Sequence, residues 1–222
     1  IIYFTYPEKE VEINYEPVNI LYEDAFLIAA FKPPFLLVHN DGNSQDTLQA
    51  RINGYLQLNG NKYPAQAIHR IDYETSGLVL FCKHPFFQAY CDKNMEEHHI
   101  KKDYIALVQG HTNYKNKKIV SNIARDRHNA KKMIIHPNGK ESISIFNTLK
   151  NYKDYSLIQV SILTGRKHQI RVQCASLKHP ILNDSLYGGK RIDNTGLLLQ
   201  SHHIQFNDID VICPQEKRFI RK

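Results

Sequence analysis

The 222-residue chain lacks the features that mark several large protein classes. Its cysteines, Cys82, Cys91, Cys174 and Cys213, lie far apart and form no C-x-x-C pair, which leaves a zinc knuckle or redox dithiol unsupported. They read as small buried hydrophobes in a reducing compartment. No apolar run approaches the roughly 18 residues that cross a bilayer, and no signal peptide is visible. There is no Walker loop, no G-x-G-x-x-G and no convincing metal-ligand cluster. Internal repeats, low-complexity segments and a clean inter-domain linker are missing too.

What is present is a globular composition, with 42% hydrophobic and 10% aromatic residues. The length fits one large domain or two small ones and is enough to bury a core. A net charge of +7 and a pI of about 9.1 point to a polyanionic partner, nucleic acid before anionic membrane.

Along the chain, Val11 and Ile13 alternate with charged neighbours and predict a short edge strand. Ile20 to Phe31 reads as strand, acidic turn and strand, stopped by Lys32-Pro33-Pro34 because proline cannot donate to a ladder. Leu36 to His39 resumes an extended run. Asp46 or Thr47 is placed to cap a helix with Leu48, Ile52, Tyr55 and Leu56 on one face. A second helix begins at His84-Pro85. Ile100 to Gly110 alternates as a strand. Residues 111–142 are rich in Lys, Asn and His and read as a long polar loop. Ser142 to Leu149 and Tyr155 to Leu163 form a strand pair. Thr164 is placed to cap a helix running to about Lys178, and Gly196 to Phe206 reads as a final buried strand.

The stretch Ala67 to Phe81 organises the rest. An extended lead-in through Ile68 and Ile71 meets turn-forming Asp72, Glu74, Thr75, Ser76 and Gly77. A continuous apolar run, Leu78 to Phe81, then reads as a buried strand. Asp72 is thereby a carboxylate on a rigid mount, with His69 and Arg70 beside it. By pattern alone this is an ordinary capped turn.

HRIDYETSGLVLFCK resembles the HRLDxxTSGLLLxAK signature of the RluA-type RNA pseudouridine synthases. The likeness extends from about residue 18 to 207. ILYEDAFLIAAFKPPFLLVH resembles ILYEDxxLLVVxKPxGLLVH, with Pro34-Phe35 in place of the usual Ala-Gly. KKDYIALVQG resembles KxYxALVxG. RDRHNAKKMIIHPNGKES resembles RDPxxRxKMxVxxxGKxA. TGRKHQIRVQCASLKHPILNDSLYG resembles TGRxHQIRxHLxxxGHPxxGDxxYG, with Asn183 where the family has Gly.

The resemblance implies an α+β pseudouridine synthase fold, a mixed and mainly antiparallel sheet flanked by helices and loops. It implies isomerisation of uridine in rRNA or tRNA on a flipped-out nucleotide, with no cofactor, metal or membrane. The catalytic residues it implies are Asp72 as the carboxylate, Arg166 as the arginine paired with it, and Tyr104 against the uracil. Asp72 would act as nucleophile or as stabiliser of positive charge at C1′. His69, Arg70, Thr75, His168 and Arg171 are expected to bind substrate. Lys117, Lys118, Arg125 and Arg127 are expected to clamp phosphates. Residues 1–19 are expected to be an extension or linker and 20–222 the catalytic domain of a cytoplasmic monomer, with a preceding RNA-binding domain left open. Two other readings remain: a glycosylase using Asp72 and Glu74 as a carboxylate pair, and a non-catalytic RNA-binding protein.

Overall fold

A computed structural model describes residues 11–42, 44 and 46–220. Among these, eleven strands join into one sheet. The first hairpin is β1 (Asn19–Glu23) with β2 (Leu27–Lys32), turned by Asp24, whose carboxylate accepts the Phe26 and Leu27 amides at 2.7 Å. Thr47 caps α1 (Leu48–Leu58) by accepting the Ala50 amide at 3.1 Å. Short β3 (Gln66–Ala67) and β4 (Ser76–Cys82) follow. Pro85 opens α2 (Pro85–Glu96), a position where its missing N–H costs nothing. Next come β5 (Lys101–Gln109), β6 (Lys117–Arg125), β7 (Met133–Ile135), β8 (Lys140–Asn151) and β9 (Tyr155–Ile162). The chain continues through α3 (Gln169–Ser176), β10 (Leu199–Phe206) and β11 (Ile209–Ile212).

The sheet runs β1-β2-β4-β10-β5-β9-β8-β6-β7, with β11 on β10 and β3 on β4. All pairings are antiparallel except β4 with β10. The mixed, mainly antiparallel α+β architecture therefore matches expectation. The apolar runs of β2 and β4 are continuous because both faces of the sheet are covered. Ile28, Ala30, Val79 and Phe81 pack on the α1 side, and Leu27, Ala29, Leu78 and Leu80 pack on the α2 side. Each of the larger buried side chains, the two alanines aside, stabilises the fold by about 1.5–3 kcal/mol.

Four expectations are corrected. Residues 11–18 form no strand; the Asn14 amide instead bonds to Ala50 of α1. The segment 111–142 is not a loop but holds β6, β7 and the start of β8, its apolar positions Ile119 and Ile123 hidden among lysines. The helix after Thr164 starts only at Gln169, because His168 adopts a left-handed backbone (φ 55). Thr164 Oγ1 instead accepts the Ile143 amide and bonds to Gln169. Finally, β10 is not the last strand. Residues 1–10 lie outside the described part.

The register brings the central turn and Tyr104 together. Ser201 of β10 is paired with Gly77 of β4 on one side and with Tyr104 of β5 on the other. A Cβ on Gly77 would lie 2.1 Å from the Ser201 carbonyl oxygen, and its φ is +110, so only glycine lets β10 approach the strand that follows the Asp72 turn.

Candidate active site

Asp72 sits on a turn held from several sides. Its carbonyl accepts the Thr75 amide at 3.1 Å. Behind it Lys32 is fully buried, its ammonium donating to the carbonyls of Pro33, Leu36 and Tyr73 at 2.9, 2.7 and 3.1 Å. Burial lowers the Lys32 pKa to about 7, against the pull of Asp72. Phe35 takes a left-handed backbone (φ 65) at the place where the motif has glycine, and its ring meets Tyr73 edge-on at 5.8 Å. Ser76, just after the turn, bonds to Glu216 and accepts from Arg218 Nη2 at 2.6 Å.

A cavity of about 750 Å³ opens in front of Asp72, lined among others by His69, Thr75, Lys102, Tyr104, His168 and Arg171. Tyr104 is 6% exposed. Burial pushes its phenol up, and nearby Asp72 adds to this, so the hydroxyl stays protonated at neutral pH. Thr75 is buried and its hydroxyl has no partner.

Arg171, in the first turn of α3, is the arginine that reaches Asp72, with Nη1 at 3.4 Å from Oδ2. Its Nε and Nη2 donate to the two oxygens of buried Asp184 at 2.8 Å each, a bidentate pair. Glu74 lies 3.6 Å from Nη2. Burial opposes the guanidinium charge, but the hydrogen bonds to Asp184 and the charges of Asp72 and Glu74 more than offset it.

His168 places Nε2 3.8 Å from Asp72 and Nδ1 2.8 Å from the Tyr187 hydroxyl. That hydroxyl also accepts the Met133 amide at 2.8 Å. Burial lowers the His168 pKa despite Asp72, so the ring is neutral.

Arg166, His69 and Arg70 also line the cavity but do not bond to Asp72, and other expected residues fall elsewhere. Arg166 does not pair with Asp72; its Nε donates to the Glu141 carbonyl at 2.9 Å. It lies in the loop before α3 and points toward β8. His69 lines the cavity, but its Nε2 accepts the Leu80 amide at 3.1 Å and burial drops its pKa to about 3. Arg70 is exposed beside His39. Arg125, with Lys140, Arg166 and Lys167, lines a second cavity of about 480 Å³ that shares the Gly165–Lys167 wall with the first. Arg127 is exposed just beyond it. Lys117 and Lys118 are not brought to the site: they start β6, about 26 Å from Arg125 at ~3.3 Å per residue.

Sequence reasoning missed Asp184, Tyr187 and Lys32 as parts of this assembly. All three stand at fixed positions of the quoted motifs, which was the available signal. Asn183, the other departure from glycine, is also left-handed (φ 68). Its side chain donates to Asp193 and Gly196 and accepts from Ile192, so asparagine substitutes by holding its own loop.

Among the described residues no cluster of His, Cys, Asp or Glu could hold a metal ion, and no helix is long and apolar enough to cross a membrane.

The sequence pattern of the family described as RNA pseudouridylate synthase matches residues 27–176. A Bacillus subtilis protein described as an uncharacterized RNA pseudouridine synthase, YhcT, is 36% identical over 204 residues, covering 90% of this chain and 66% of that protein. Ribosomal large subunit pseudouridine synthase D of Haemophilus ducreyi is 32% identical over 188 residues, covering 82% and 58%. The solved structure of human RNA pseudouridylate synthase domain containing 1 superposes with a TM-score of 0.76 at 23% identity, covering 91% of this chain and 85% of that one, which supports the fold. The chain belongs to the RNA pseudouridylate synthase family, in its RluA-type branch. It spans under two thirds of the length of these two curated relatives.

Proposed function

We propose that the protein isomerises uridine to pseudouridine in ribosomal RNA, with Asp72 as the catalytic carboxylate acting on a nucleotide drawn out of its stack. The N1–C1′ bond breaks, the uracil turns, and a C5–C1′ bond forms. No atoms are gained or lost, so no cosubstrate is required. The observation that carries this reading is the meeting of Asp72, Tyr104 and Arg171 on one cavity large enough for a flipped base.

In this reading Arg171 takes the role that the resemblance gave to Arg166. Fixed by Asp184, it holds the Asp72 carboxylate in one orientation in a water-poor site. Asp72 then attacks C1′ or the uracil ring, or stabilises positive charge at C1′ during elimination. Tyr104 offers a flat face for the base and, as a protonated phenol, a hydrogen-bond or proton donor rather than a base. Arg125, Lys140 and Lys167 lie where the flanking RNA backbone would run, and would position it without reading sequence.

The test is a map of pseudouridine across rRNA and tRNA, with and without the gene, followed by turnover on the site found. Asp72→Asn should lower turnover by on the order of 10³ or more while leaving RNA binding intact. An Asp72→Ala protein that still forms pseudouridine would falsify the mechanism. Release of free uracil would point to the glycosylase instead.

A further inference from the structure

Lys102 stands two residues before Tyr104 on β5, so both side chains project from the same face of that strand into the same cavity. It is 8% exposed. Among the described residues its ammonium meets only the Met95 thioether, at 2.9 Å, a weak acceptor. Buried Lys32 makes the contrast, because its ammonium has three carbonyls. Among the described residues no carboxylate pairs with Lys102, and burial lowers its pKa to about 8. The ring of His69 lies beside it and is neutral, so it supplies no counter-charge.

A cation buried without a partner destabilises the free protein. Its retention in the cavity calls for an anion in the bound state. A base carbonyl is a neutral acceptor and would leave the charge uncompensated. Lys102 also lies at the end of the cavity formed by Met95, Glu96 and His98.

We propose that Lys102 binds one backbone phosphate of the RNA next to the extracted nucleotide, making this end of the cavity a dedicated phosphate subsite. This rests on the pseudouridine synthase reading above. A base lying against Tyr104 carries its nearest phosphates within one backbone repeat, and Lys102 is about 7 Å along the strand.

The test uses the full chain and a stem-loop RNA with a mapped target uridine. Matched RNAs each carry one uncharged methylphosphonate near that uridine, and binding is measured without turnover. Lys102→Met should bind the unmodified RNA about tenfold more weakly, the loss of one charge-assisted hydrogen bond. One particular methylphosphonate should weaken the wild-type protein equally and cost Lys102→Met nothing more. Lys102→Arg should restore most of the binding. Without RNA, Lys102→Met should melt at or above the wild-type temperature. The proposal is overturned if every methylphosphonate costs both proteins the same factor, if only kcat falls, or if Lys102→Met melts far lower. A wild-type protein that binds this stem-loop but leaves its uridine unconverted overturns the proposed function instead, and the methylphosphonate pattern still decides Lys102.

Discussion

Arg171 holds both oxygens of Asp184 at 2.8 Å and presents its remaining nitrogen to Asp72 at 3.4 Å. The Asp72 partner is therefore itself held. A lysine is a point charge and cannot serve two carboxylates in this fork geometry. Arg171→Lys should lower single-turnover rates by about a hundredfold or more. Asp184→Asn should lower them too, through a loosened Arg171, and should destabilise the fold by about 3–5 kcal/mol because a buried pair loses one charge. Arg166→Ala should leave the rate within about threefold and act mainly on RNA affinity. Equal loss at Arg166 and Arg171 would contradict this assignment.

Tyr104→Phe keeps the ring and removes the hydroxyl. If the protonated phenol moves or orients a proton, turnover should fall by about 10²-fold or more with little change in RNA affinity. Stopped rates and filter binding separate the two. A fully active Phe variant would leave Tyr104 as a stacking surface only.

The basic residues divide by position. Replacing Arg125 and Lys140 by alanine should flatten the salt dependence of RNA binding, by a slope of about 0.7–0.9 for each phosphate that is no longer neutralised. The same change at Lys117 and Lys118, at the far end of β6, should alter the slope less. A larger effect from the lysine pair would place the RNA along the other end of the sheet.

His203 is held between Asp103 at 2.9 Å and Asp210 at 2.6 Å. Burial works against its charge, but hydrogen bonds to the two carboxylates outweigh it and raise its pKa. A folded pKa above the unfolded value of about 6.5 means that folding takes up protons near that pH. The stability gained is complete below about pH 6.5 and is lost as pH rises through the folded value. The difference in unfolding midpoint between wild type and His203→Gln should therefore be largest below about pH 6.5 and shrink as pH rises above it. Partial exposure keeps the effect small.

Gly77→Ala is the sharpest test of the fold around the site. Its Cβ would need the space of the Ser201 carbonyl. Destabilisation of at least about 3 kcal/mol, or failure to fold, is expected. Urea unfolding measures it, and a neutral outcome would contradict the β4–β10 register.

Much of this was legible beforehand. The β1–β2 turn at Asp24, the Thr47 cap and the alternation of β5 are local signals, and each is seen where it was read. The strands between 117 and 135 were not, because β6 opens on exposed Lys117-Lys118 and closes on exposed Arg125, while Val120 and Ile135 put apolar side chains into solvent and blur the alternation. The resemblance implied Arg166 as the partner of Asp72, whereas Arg171 is the arginine that reaches it. The left-handed His168 moves the helix start to Gln169 and turns Arg171 toward Asp72. The partnership with Asp184 is a long-range pairing that no local pattern encodes. The two missing glycines were visible as departures, but their meaning depends on backbone angles. Phe35 and Asn183 keep the positive φ that glycine would supply.

The Asp72 turn also depends on residues translated much later. Arg218 donates to Ser76 and to the carbonyls of Thr195 and Leu197, and neighbouring Phe219 is fully buried in the main core. A nascent chain emerging from a ribosome would expose the Asp72 segment long before these clamps are made. The Asp72 turn would thus stay unbraced during synthesis, and a chain interrupted before Arg218 would carry the carboxylate without its final brace.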